Sequence, residues 1–311
     1  MARRLEAHRD GGKRPQGLRE LFLAERRQKR LEHDLLNRLA VPVEAGFRLP
    51  LHAAPDVAAA LREALGPAAP LPGLLPLREV LGMVGAHEWR ARGVDVPALA
   101  ARIHPRFGVF APVRGEHVDL LAAAARRWPP AGKQALDVGT GTGVLALVLA
   151  RAGAQVTATD LSPDAVACAT ENAGRLGLSE RVTAVEADLF PPGDARFDLV
   201  VCNPPWLPYE ALTPLERAVY DPDSAFLRRF LAGVAPRLAA GGEAWLILSD
   251  LGERLGLRPE GELDGLIAAA GLEVAGGIEA APSHPRSRDQ GDPLHAARSA
   301  EVTSLRRLVA R

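Results

Sequence analysis

The stretch Ala135-Leu-Asp-Val-Gly-Thr-Gly-Thr-Gly-Val-Leu-Ala-Leu-Val-Leu-Ala150 restricts the possible folds more than any other part of the chain. It reads as a short apolar strand ending in Asp137, a turn built from Gly139, Thr140, Gly141 and Gly143, and an apolar helix. Glycines at this spacing let the backbone turn sharply and bring bare amides against a ligand. The following helix aims its N-terminal amides and positive dipole end at the same place. A turn of this kind belongs at the carboxyl end of the first strand of an open α/β sheet, where it cradles a cofactor.

Val156-Thr-Ala-Thr-Asp160 reads as the next strand, and its terminal carboxylate lies 21 residues beyond Gly139. That is close to the roughly 20-residue offset at which an acid meets ribose hydroxyls. The nicotinamide fingerprint G-x-G-x-x-G is absent: one residue, not two, separates the second glycine from the third. Together the two motifs resemble the first two of class I S-adenosylmethionine-dependent methyltransferases. The resemblance implies that Asp137, Gly139, Thr140, Gly141, Gly143, Asp160 and Leu161 border that cofactor. It also implies that an acid after the third strand, Asp188 in Ala187-Asp188-Leu189, holds the adenine amino group.

From Leu136 onward strands and helices alternate, as in a sheet wrapped on both faces. A helix over 163–175 carries Ser162 as N-cap and Pro163 in its first turn. Further strands are expected at 181–186, 197–202, 244–249 (after a turn at Gly241-Gly242), 272–275 and 302–309, with helices at 224–238 and 260–270. Residues 281–297 read as a long loop. The resemblance implies an α/β, doubly wound, mostly parallel seven-stranded Rossmann-like sheet closed by a late antiparallel pair. It covers about residues 107–311, which sets a methyltransferase domain at 106–311 and a mainly helical accessory domain at 1–105. Phe107 to Leu120 reads as a short strand running into a helix, and in the resembling family such a segment lies over the cofactor. Arg114 there stands where many members have proline.

Phe197-Asp-Leu-Val-Val-Cys-Asn-Pro-Pro-Trp206 carries the chemistry. Two consecutive prolines after an apolar strand end the ladder and fix an extended turn. Asn203, Pro204, Pro205 and Trp206 resemble the motif of methyltransferases that act on a planar nitrogen, and Asn203 falls at the border of cofactor and acceptor. An amide or exocyclic amino nitrogen has a delocalised lone pair and is a poor nucleophile. Two acceptors on its N–H bonds, the Asn203 side-chain oxygen and the Pro204 carbonyl, draw that lone pair forward and stabilise the positive charge that develops. Trp206 supplies a stacking face that holds the reacting atoms in line. This chemistry calls for no metal and no covalent intermediate. A non-catalytic S-adenosylmethionine-binding protein on the same fold is the alternative, and would not need every one of these residues.

The acceptor divides into a protein glutamine or a nucleic-acid base. Lys plus Arg and Asp plus Glu both number 38, so no whole-molecule field collects nucleic acid. Residues 1–40 are locally basic, with eleven Lys/Arg against six acids. Leu18, Leu21, Phe22, Leu35, Leu36 and Leu39 give an amphipathic helix over 17–40 whose basic face is read as solvated. The helical N-terminal region is similar to that of release-factor glutamine methyltransferases, from which the chain departs at Trp206, tyrosine there, and in the glutamate-proline pair missing from 220–226. Arginines around His284 to Arg288 favour a nucleic acid. Tyr220, Asp221 and Asp223 border the pocket as weaker candidates, and His104 and His117 are read as surface or capping residues. Cys168 and Cys202 lack metal or disulfide spacing and Cys202 is read as packing. With no signal core and no long apolar run, a cytoplasmic protein without membrane partners is expected.

Overall fold

A computed structural model describes residues 15–67 and 72–311. The expected basic residues at 3, 4, 9, 13 and 14 lie outside the described residues. The chain opens with helix α1 (Leu18–Leu36), strand β1 (Ala40–Val43), helix α2 (Ala58–Leu65), strand β2 (Gly73–Pro76) and helix α3 (Leu77–Arg92). Asp56 accepts a hydrogen bond from the Ala58 N–H, two residues on, in the turn that leads into α2. Strands β1 and β2 pair antiparallel, and Val41, Val43, Phe47, Val57, Leu61, Val80 and Met83 form one small apolar cluster. The helical reading of this region therefore missed a two-stranded ladder. A second ladder, β3 (Val94–Val96) with β4 (Ala101–Ile103), turns its apolar residues into the main core.

Next come α4 (Glu116–Arg127), β5 (Gln134–Val138), α5 (Val144–Arg151), β6 (Gln155–Asp160), α6 (Pro163–Arg175), β7 (Val182–Glu186) and β8 (Phe197–Cys202). The chain closes with α7 (Ala225–Val234), β9 (Leu238–Ser249), α8 (Leu251–Arg254), α9 (Glu262–Ala269), β10 (Leu272–Ala280), α10 (His295–Ser299) and β11 (Thr303–Ala310). Seven strands form one sheet in the order β10-β11-β9-β8-β5-β6-β7. Only β11 runs antiparallel to its two neighbours. Alternate residues face two cores: Leu199 and Val201 of β8 join the α4–α5 side, Val200 and Cys202 the α7–α9 side. Strands buried on both faces explain the continuous apolar runs.

Five expectations need correction. Residues 107–115 contain no strand: the chain turns at 106–109, where the Val109 N–H donates to the Arg106 carbonyl at 3.1 Å and Gly108 has φ +79°, and then runs irregularly into α4. Gly241-Gly242 is not a separate turn: β9 passes through it, with a register shift against β8 between Phe197 and Leu199. There Gly241 has φ +73° and a Cβ on Gly242 would come within 2.7 Å of the Phe197 carbonyl oxygen, so the kink requires glycine. Helix α7 gives way after Val234 to a short tighter turn, and the 281–297 loop ends in α10. Only the first half of the α1 stripe is covered: Leu18, Leu21 and Phe22 pack on Leu207, Leu251 and Leu294, while Leu35, Leu36 and Leu39 are exposed.

The contact made by α1 is specific. Buried Arg26 donates to the Glu216 carboxylate at 2.9 Å and to the Glu210 carbonyl at 3.1 Å, with its guanidinium 4.1 Å from the Tyr220 ring centroid. Glu25 meets Arg298 at 3.3 Å. One helix thus grips both loops that follow β8 and β10. None of the described helices is long and apolar enough to cross a membrane.

Candidate active site

Strand order reverses between β5 and β8, because β5 is followed through α5 by β6 on one side and paired with β8 on the other. Ligands of open α/β sheets sit outside the strand ends at such a point. Register pairs Val138 with Cys202, so Gly139 and Asn203 leave adjacent strand ends together. The two motifs, 60 residues apart in sequence, share one site for this topological reason.

Asp137 is buried beneath the glycine turn, where its Oδ2 accepts from the Thr140 hydroxyl at 2.6 Å and the Ala146 N–H at 3.1 Å. Its Oδ1 is buried without a partner. Burial pushes this carboxyl up to about 6, against the pull of those two hydrogen bonds and with the help of the nearby Asp160 charge. The folded chain therefore keeps a proton between pH 3.8 and about 6 that the unfolded chain releases, and stability falls as pH rises through this window. At about 1.4 kcal/mol per pH unit the cost is on the order of 3 kcal/mol. Asp137→Asn should abolish that slope, which urea denaturation of both proteins at pH 4.5 and pH 7 would measure.

The amides of the turn are not bare. Gly139 and Thr140 donate to the Thr159 carbonyl at 2.8 and 2.9 Å, and Gly141 donates to Asp160 Oδ2 at 2.9 Å. Gly143 donates to the Thr140 carbonyl at 2.9 Å. The expectation that the amides of these glycines face a ligand is thus corrected, since Gly139, Gly141 and Gly143 each donate within the protein. Gly143 has φ +83°, and a Cβ there would lie 3.0 Å from Ala169, so its role is close packing of α5 on α6. A Cβ on Gly141 would meet nothing within 4 Å, which leaves open space above the turn.

Asp160 also accepts from the Ser162 N–H at 2.9 Å, and Leu161 beside it is 69% exposed. Asp188 is exposed and forms an ion pair with Arg229 at 2.6 Å. Leu189 is buried with φ +65°, its carbonyl held by the Thr159 hydroxyl at 2.6 Å. Phe226 lies against Gly139, and neither it nor Arg229 carries a local motif that would have marked it. The free Asp137 oxygen, the open space over Gly141 and the exposed Leu161 fit a nucleoside cofactor.

Beyond β8, Pro204 is buried and Asn203, Pro205 and Trp206 are half-buried. The Trp206 indole N–H donates to Asn203 Oδ1 at 2.9 Å, and the Trp206 carbonyl accepts from buried Arg258 at 3.3 Å. An amide oxygen has two acceptor positions, so the indole orients Asn203 and leaves one of them. Above the ring sits the Arg114 guanidinium, 5.0 Å from its centroid. Asp221 caps α7, accepting from Phe226 and Leu227 at 2.9 and 3.1 Å, and Tyr220 packs under Arg26. These are supporting roles. His104 is tied to the Arg90 carbonyl at 2.6 Å, and His117 is half-buried in the first turn of α4, where desolvation pushes its imidazole down to about 4. Cys202 is fully buried, as packing requires.

Residues 103–253 match the family model described as methyltransferase small domain. A release factor glutamine methyltransferase of Deinococcus radiodurans is 36% identical over 231 residues, covering 70% of this chain and 76% of that protein. One from Geobacter sulfurreducens is 39% identical over 145 residues, 42% of this chain and 49% of that protein. A ribosomal RNA small subunit methyltransferase C of Alcanivorax borkumensis is 34% identical over 142 residues, covering 45% and 40%. The match thus spans about half the length of the Geobacter relative and less of the Alcanivorax one. On the extent of the Deinococcus match and the residues of the shared domain, the chain belongs to the small-domain methyltransferase family.

Proposed function

We propose that this chain methylates the side-chain amide nitrogen of a protein glutamine, using S-adenosylmethionine. The adjacency of Asn203 to the glycine turn across the β5–β8 register carries the reading that a planar nitrogen is methylated. When bound, the cofactor supplies an electrophilic methyl group on a sulfonium. Asp160, Leu161, Asp188 and Leu189 would hold its nucleoside, with Asp137, Gly139, Thr140, Gly141 and Gly143 shaping the turn beneath it. For Asp188 to reach an adenine amino group its exposed pair with Arg229 has to open, and such a pair is worth little. Asn203 Oδ1 and the Pro204 carbonyl accept the two acceptor N–H groups, Pro205 fixes the turn, and Trp206 both stacks on the acceptor and orients Asn203. The proton lost from nitrogen leaves after transfer, so the site needs no strong base. In this reading residues 106–311 carry the reaction and residues 1–105 form the accessory region.

Glutamine is favoured over a base by the ion pairs that occupy part of the two basic segments among the described residues. Arg26, Lys29 and Arg30 pair with Glu216, Glu25 and Glu210, and Arg286 and Arg298 pair with Glu25 and Asp292. Charges already paired within the chain are poorly placed to track phosphates. The test is transfer of labelled methyl into an extract of cells lacking this protein. Label lost to protease and kept through nuclease supports a protein acceptor, and label lost to nuclease assigns a base.

A further inference from the structure

The Arg114 guanidinium is held over Trp206 by an unusually well-fixed acidic frame. Nη2 donates to Glu301 Oε1 at 3.1 Å, and Nε lies 3.7 Å from Glu116 Oε2. The Glu301 side chain is fully buried and accepts from the Ser249 hydroxyl at 2.6 Å. Glu116 is also buried and accepts from the Ser283 and His284 N–H groups at 2.8 and 3.2 Å. The frame is therefore built from four separate places in the chain, at 116, 249, 283–284 and 301. Arg114 keeps donors in hand, because Nε is buried without a hydrogen bond and Nη1 makes none among the described residues. Its side chain is 28% exposed, so the guanidinium sits at the mouth of the site.

A primary amide needs three partners. Its two N–H groups need acceptors and its carbonyl needs a donor. The Asn203 oxygen and the Pro204 carbonyl supply acceptors alone. Stacking on Trp206 also meets an obstacle, because the guanidinium already covers one face of the ring.

We propose that Arg114 is the specificity-determining residue of the acceptor pocket. In the free chain its guanidinium closes the pocket by lying on Trp206. When an acceptor amide takes that place, the guanidinium stays tethered to Glu301 and turns its free N–H groups to the amide carbonyl oxygen. The inference rests on the glutamine reading. It also has a kinetic signature: a donor on the carbonyl oxygen draws electron density away from the nitrogen, so Arg114 serves binding and orientation and not the chemical step. Its loss should fall on KM and leave kcat in place.

The experiment compares the full-length wild-type chain with Arg114→Ala and Arg114→Lys. It uses labelled S-adenosylmethionine and nuclease-treated protein extract from cells lacking this chain. Hydroxyl-radical oxidation of Trp206, read by mass spectrometry, is measured on the same preparations. Arg114→Ala should raise the apparent KM for extract protein about 10- to 100-fold, the range for a hydrogen bond to a charged group, with kcat unchanged. Arg114→Lys should recover part of that loss, since it keeps the charge without the planar fork. Trp206 oxidation should rise in Arg114→Ala. Equal KM in all three proteins, a loss confined to kcat, or unchanged Trp206 oxidation would each overturn the proposal. Failure of the glutamine reading has its own mark: the wild-type chain then leaves the protein fraction unlabelled, and the carbonyl-donor role falls with it.

Discussion

Asn203→Ala lowers kcat for methyl transfer by about 10²–10³-fold, the usual cost of removing one preorganised polar group facing developing charge. That corresponds to about 2.7–4 kcal/mol. The acceptor nitrogen becomes positive only as the carbon–nitrogen bond forms, so the Asn203 oxygen contributes most in the transition state. Affinity for S-adenosylmethionine, measured by calorimetry, should stay nearly unchanged, because the glycine turn is held by Asp137, Thr159 and Asp160 and not by Asn203. A variant that loses cofactor affinity and keeps its turnover at saturation would take the acceptor role away from Asn203. The indole bond refines the expectation: alanine at 203 also leaves the Trp206 N–H without its partner and frees the indole to shift, so Asn203→Asp, which keeps an acceptor for that N–H, provides the control.

Asp160→Ala should weaken S-adenosylmethionine binding about 10- to 100-fold, the value of hydrogen bonds to a carboxylate. Two effects act in the same direction. The nucleoside loses an acceptor, and the N–H groups of Gly141 and Ser162, both 2.9 Å from Asp160, are left without their partner. Asp160→Asn should fall between, since its amide keeps one acceptor oxygen. Once the cofactor saturates, turnover should return to near the wild-type value, because Asp160 lies away from the Asn203 side. Calorimetry with the cofactor alone checks the first statement and turnover at saturating cofactor checks the second. Unchanged affinity would remove Asp160 from the nucleoside site.

Much of this architecture is legible from local pattern. Glycine spacing after Asp137 marks the turn because few other residues tolerate φ values of +73°, +55° and +83° there. Continuous apolar runs mark strands buried on both faces, and Pro204-Pro205 marks the end of β8. What escaped is non-local or depends on a partner strand. Gly241-Gly242 has the composition of a turn, and only its pairing with β8 makes it a kink within β9. Arg114 and Trp206 lie 92 residues apart with no shared motif, so nothing in the sequence announces that one covers the other. The same holds for Arg229 on Asp188 and Phe226 on Gly139.

The grip of α1 on the two loops has a consequence for the order of assembly. The strand pairs that frame the glycine turn close shorter spans, 21 residues between Ala135 and Val156 and 64 between Val138 and Cys202. Glu25 and Arg298, by contrast, are separated by 273 residues, and Arg26 and Glu216 by 190. Closing such spans costs more chain entropy and comes late in folding. During synthesis the N-terminal helix must wait, unpartnered on this side, until residue 298 has emerged. Both the glycine turn and Asn203 to Trp206 can therefore emerge from the ribosome before α1 closes on residue 298, and a chain that stalls short of residue 301 would lack the carboxylate that holds Arg114 over Trp206.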